Sequence, residues 1–137
     1  MSRDFQINFD EFTRDLKRET GKELEDTLVK FQKKISLEVL TGVVEKTPVD
    51  TGRARAGWIA SIGKPSIVKT KRKDKSGNST IDKGGAKIGK LKPFQTLWIS
   101  NNVEYIEFLE HGSSQQSPRG MAALTIAEVN ARNRETA

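Results

Sequence analysis

Between Asp10 and Glu45 the apolar side chains Phe12, Leu16, Leu24, Leu28, Phe31, Ile35, Val39 and Val43 recur at steps of three or four residues or their multiples. That is the helical period, and the dense charge between them marks a face left in water. No other feature of the chain constrains its fold as strongly. Pro48 disfavours helical geometry at Thr47, so the helix is predicted to stop at Glu45 or Lys46. Gly21 and Gly42 each cost about 1 kcal/mol relative to Ala in a helix interior, and a bend is expected near Thr20 and Gly21, where the stripe skips a turn. Unbroken, such a helix would run roughly 54 Å, whereas a compact chain of this length is only about 37 Å across. Part of it would overhang, and an overhanging apolar stripe calls for a partner. Phe12, Leu16, Leu24, Leu28 and Phe31 are the residues expected to meet that partner. The alternative is a break at Gly21 that folds the first part back onto the domain.

Strand-like segments follow at Trp58–Ile62, Ile67–Thr70 and Thr96–Ser100, enriched in β-branched and aromatic residues. Val103–Glu110 reads as a short amphipathic helix with Tyr105, Ile106 and Leu109 inward, stopped by Gly112. A last helix is predicted from Pro118 to Asn133, with Ser117 as N-cap and Pro118 at the first helical position. The fold class is α+β: one domain in which a long N-terminal helix packs on a small antiparallel sheet, closed by a short helix and a C-terminal helix.

Apolar residues make up 34% of the 137, enough for one modest core and no more. No window is apolar enough to span a membrane, and the start MSRDFQINFDEF lacks the apolar centre of a secretory signal. The expectation is a soluble intracellular chain. With no cysteine, disulfides, thiolate metal sites and Cys nucleophiles are excluded, and His111 is the only histidine. No cofactor or metal is expected. The net charge of +6 is concentrated in one place: residues 64–92 hold ten basic side chains against two acidic ones, while the rest holds 14 basic and 16 acidic. The segment is therefore +8 on a body of −2. Its KRKDKSGNS centre is too polar to bury, which suggests a flexible loop or hairpin tip. Lys69, Lys71, Arg72, Lys73, Lys75, Lys83, Lys87 and Lys90 are its candidate contacts to DNA or to an acidic partner. No aromatic residue lies between Lys64 and Pro93, so base stacking is unsupported.

Two runs carry most of the remaining information. The first, Thr47-Pro48-Val49-Asp50-Thr51-Gly52-Arg53 continuing to Trp58, reads as a helix stop, a capped turn and a launch into a strand. Asp50 has no second carboxylate nearby in sequence, which argues against acid–base or metal chemistry. The second, Tyr105 through Glu110-His111-Gly112 and on to Met121, offers an acid and a histidine side by side. No nucleophile pattern accompanies them, and a histidine serving the last carbonyls of a helix is the ordinary reading. Gly84-Gly85-Ala86-Lys87-Ile88-Gly89-Lys90 lacks the Lys-Ser/Thr ending of a phosphate loop.

The pairing of TPVDTGRARAGW after a long helix with YIEFLEHGSSQQSPRGM before another resembles the tail-completion or neck proteins of long-tailed bacteriophages, a family grouped with minor tail protein Z. The matching positions are Thr47 to Arg53, Trp58, Tyr105 and Glu110 to Gly112; Ala54 stands where a Leu is common, and the Lys-rich insertion at 64–92 is a departure. The resemblance implies a structural virion protein, not an enzyme, made in the host cytoplasm and built into the virion neck. It implies a homo-oligomeric ring, sixfold to match the tail tube, that joins the tail terminator or tube to the head connector. The two motifs would hold the halves of the fold together, and the basic segment would face the genomic DNA or an acidic neighbour. No membrane partner is implied. A nucleic-acid-binding module using residues 64–92 is the competing expectation.

Overall fold

The computed structural model describes residues 3–7, 21–111 and 120–134, the first stretch by its backbone alone. In chain order these form β1 (Arg3–Ile7), α1 (Lys22–Lys46), α2 (Arg53–Ala56), β2 (Trp58–Ile62), α3 (Asn78–Ile88), β3 (Leu97–Asn101), α4 (Ile106–Glu110) and α5 (Ala122–Arg134). The fold is α+β, as expected. Its three-stranded antiparallel sheet has the order β1-β3-β2, with Ile59 opposite Ser100 and Phe5 opposite Ile99. β1 was not foreseen, although Phe5, Ile7 and Phe9 alternate with polar residues at the strand period.

One core joins the sheet to the helices. Val39, Leu40, Val43 and Val44 of α1 meet Trp58 and Ala60 of β2, Leu97 and Ile99 of β3, Ile88 of α3, Ile106 of α4 and Met121, Ala122 and Val129 of α5. α1 stops at Lys46, as Pro48 requires. At its other end Gly21 has φ 81 and ψ −162, outside helical geometry, so the helix does not continue unbroken through this position. Twenty-five residues at 1.5 Å each span about 37 Å, no more than the body itself. α1 by itself is therefore about as long as a compact chain of this size is wide. Phe12 and Leu16 lie outside the described residues; Leu24, Leu28 and Phe31 are half-buried. The inward line of α1 instead runs through Glu25, Val29, Gln32, Ser36, Val39 and Val43, turned by about one residue from the apolar stripe in its first half. Gln32 and Ser36 can occupy that line because they are bonded: Gln32 donates Nε2 to the Gln95 carbonyl (3.2 Å) and Ser36 donates its hydroxyl to the Gln32 carbonyl (2.7 Å).

Further expectations are corrected. The segment 64–92 is not a loop or hairpin tip throughout, since α3 occupies its second half and buries Thr80, Gly84 and Ile88. Gly84 lies so close to Leu40 of α1 that any side chain there would collide with it, and Gly42 stands in the same relation to Thr125 of α5. These glycines lower helix propensity but let the helices approach closely, which reverses the reading of Gly42 as a weak point. Ile67–Thr70 joins no ladder; Ile67 is 92% exposed. Finally, α5 begins at Ala122 rather than Pro118, with Gly120 at φ 80 just before it; Ser117 and Pro118 lie outside the described residues. The short helix α4 also starts later than expected, at Ile106, and Tyr105 is 39% exposed rather than inward.

Candidate interaction site

The run from Thr47 to Trp58 is a clamp. Where α1 ends, the Thr47 hydroxyl donates to the Val43 carbonyl (2.6 Å) and accepts from the Trp58 indole N–H (2.7 Å), tying the helix end to the start of β2. Gly52, at φ 88, has the backbone of Asp74 and Lys75 where a side chain would stand. Its carbonyl accepts the N–H groups of Ala56 (3.1 Å) and Asp74 (2.9 Å). Only glycine meets both demands.

The two arginines take different partners. Arg53 donates Nε to the Thr70 carbonyl (3.0 Å) and both terminal nitrogens to the carboxylate of Glu104 (2.8 and 3.0 Å). Arg55 donates to the carbonyls of Thr47 (3.0 Å), Glu45 (2.9 Å) and Lys75 (2.8 Å), gathering the end of α1 and the basic segment on one guanidinium. A planar fork with five donors suits this task, and a lysine does not. The hydrogen bond from Arg53 holds the Glu104 carboxyl down at about 2, and in return raises Arg53 above its ordinary value.

Asp74 then starts α3. It accepts the N–H groups of Gly77 (3.1 Å) and Thr80 (2.8 Å) and the Thr80 hydroxyl (2.7 Å). Desolvation opposes its charge, but the bonds from Thr80, Gly77 and Ser76 outweigh that and keep its carboxyl below the usual range. The second run has an equivalent device. The Glu110 carboxylate accepts the N–H groups of Met121 (3.0 Å), Ala122 (2.8 Å) and Ala123 (3.1 Å), capping α5 from eleven residues upstream. The acid beside the lone histidine is thus engaged in structure. His111 follows the helix end, its N–H bonded to the Glu107 carbonyl (3.1 Å). Gly112 lies outside the described residues.

The two runs meet. Glu104, paired with Arg53, precedes Tyr105, and Tyr105 and Leu109 line a pocket of about 210 Å³ with Pro48, Val49, Asp50, Thr51, Gly52 and Ala54. Asp50 and Thr51 are exposed on its rim. Among the described residues no three His, Asp or Glu side chains sit close enough to hold a metal ion, and no helix is long and apolar enough to cross a membrane.

The basic residues fall on two elements. Lys69, Lys71, Arg72, Lys73 and Lys75 stand exposed on the strap of residues 64–77 leading to α3, while Lys83, Lys87 and Lys90 follow a helical face of α3 and the turn beyond it. Arg72, Lys83 and Lys87 come together around a slot of about 320 Å³ whose floor is Trp58, Ile59 and Ala60 of β2, with Val68 and Thr70 on the strap side and Thr80 and Gly84 on the α3 side. Sequence reasoning missed this slot, because it exists only where the strap, the sheet edge and α3 converge. No protein-family model, curated protein or solved structure matches the chain.

Proposed function

We propose that this chain is a structural subunit of a long-tailed phage virion, a tail-completion or neck protein that joins the head-proximal end of the tail to the head connector. It works through contact and shape, without catalysis. One observation carries the reading: the two runs that resemble this family, about fifty residues apart, line one pocket together, beside the pair that Arg53 makes with Glu104 just ahead of the second run. Arg53, Arg55 and Glu110 are bonded within the chain, to backbone groups and to Glu104, as suits a part that must hold its form within a larger assembly. Apolar side chains left at several surfaces, among them Leu37 beside the α1–α5 groove, Ile126 on α5 and Phe108 on α4, give neighbours places to pack. The length of α1 lends no support to self-association; the ring, its sixfold order and its terminator, tube and connector neighbours rest on the resemblance.

Particles made with and without the gene test the reading. The chain should be present in purified virions at the head–tail junction under gold labelling, and its loss should leave separate heads and tails that the added protein rejoins. Normal, infectious particles lacking the chain would overturn it. The second reading, a nucleic-acid-binding module, draws on the eight exposed cations of the strap and α3. It requires duplex DNA binding that weakens steeply with salt.

A further inference from the structure

The slot between the strap, α3 and the first half of β2 has apolar walls and charge of one sign. It reaches β2 only at Trp58–Ala60, and α3 packs directly on that strand, so the slot is a small side-chain pocket and not an open sheet edge. Trp58 and Ala60, both almost wholly buried, close its bottom, and Val68, 56% exposed, forms the lip on the strap side. The two hydroxyls in its walls are already engaged. Thr80 donates to Asp74 Oδ2 (2.7 Å), and Thr70 Oγ1 accepts the Arg72 N–H (3.1 Å). Polar chemistry for an occupant therefore comes from three cations. Arg72 donates Nη2 to Ser79 Oγ (3.1 Å), which ties the strap to α3 and leaves further donors on its guanidinium. Lys83 and Lys87, one turn apart on α3, are exposed and make no ion pair among the described residues. No carboxylate lines the slot.

We propose that the slot binds a small amphiphilic anion, a free molecule with an apolar body and one carboxylate head. A volume of about 320 Å³ holds roughly ten non-hydrogen atoms at about 30 Å³ each. An apolar enclosure with a few placed polar groups is the general form of a small-molecule site. The body lies along Trp58, Ile59 and Val68 and frees that surface from water. The head stays at the mouth among Arg72, Lys83 and Lys87, where attraction is not offset by taking charges into the interior. A phosphate of DNA would meet the same cations but has no apolar part to fill the slot. The site lies apart from the Tyr105–Leu109 pocket, and the inference does not depend on the virion reading.

The probe is hexanoate, titrated into the full chain and followed through the backbone amide resonances, with hexan-1-ol, hexylamine and acetate as comparisons. Hexanoate should bind saturably with a Kd on the order of 1 mM, shifting Ile59, Val68 and Gly84 and leaving Tyr105 and Thr125 unmoved. Hexanol keeps the body without the charge and should bind about tenfold more weakly, while hexylamine and acetate should give no saturable shift. The exposed double variant Lys83→Gln, Lys87→Gln should weaken hexanoate about tenfold and leave hexanol unchanged; Lys90→Gln, which does not line the slot, should change neither. The proposal is overturned if hexanol binds as tightly as hexanoate, which would leave only an apolar patch, or if acetate shifts the same resonances as strongly, which would leave only ion pairing. It is equally overturned if hexanoate does not saturate. A peptide ending in a free leucine carboxylate that binds about tenfold more tightly than hexanoate would assign the slot to a protein terminus and overturn it as well.

Discussion

Glu110 shows how a side chain that invites a catalytic reading can be fully engaged in architecture. Its carboxylate takes three successive N–H groups at the start of α5, a region whose orphan donors must otherwise find water or a cap. Glu110→Ala should cost about 1–2 kcal/mol in urea unfolding, and Glu110→Gln, which keeps an acceptor, distinctly less; equal losses would remove the cap from the account. Arg55→Lys keeps the charge but cannot reach three carbonyls at once, and a loss of about 1.5–3 kcal/mol is expected. Glu104 makes a claim about pH. Its folded value, about 2, lies below the ordinary 4.5, so its contribution is present above about pH 4.5 and is lost as pH falls towards 2. The pair is exposed and screened, so its stabilising effect is small. The sharper check is an NMR titration: Arg53→Gln should return the Glu104 carboxyl towards its ordinary value.

Among the elements, α3 matters most, because it turns what reads as a loose basic insertion into part of the core. Removing residues 70–90 would delete Ile88 from the core, the Thr80 and Gly84 contacts and the Asp74 cap together. That deletion should abolish the cooperative thermal transition seen by circular dichroism. Reversing the exposed charges Lys69, Lys71 and Lys73 to Glu should leave the midpoint within about 2 °C, since surface changes of this kind cost little. The helix was hard to read in the sequence because its centre, Gly84-Gly85, is poor in propensity and its apolar positions are few. Those glycines are there for contact with α1: Gly84→Val would press on Leu40 and should cost about 1–3 kcal/mol or more.

At the scale of the whole molecule, a modest core is surrounded by several partly open surfaces: the slot at β2, the groove between α1 and α5, and the Tyr105–Leu109 pocket. Light scattering across a concentration series should show mass rising above that of one chain if the proposed ring self-assembles. A monomer at every concentration would place assembly on a partner instead.

What the sequence by itself determined was local. The helical period with Pro48 marked the end of α1, the β-branched and aromatic run marked β2 to the residue, and β3 was displaced by one. The TPVDTGR run could be recognised as a junction because its stop, turn and launch signals are properties of neighbouring residues. Only the tertiary structure decided which carbonyls Arg53 and Arg55 would gather, that Glu110 would cap a distant helix, and that the strap would stand away from β2 and leave a slot. Those arrangements join residues ten to fifty positions apart, and they follow from how whole elements pack rather than from any short-range pattern.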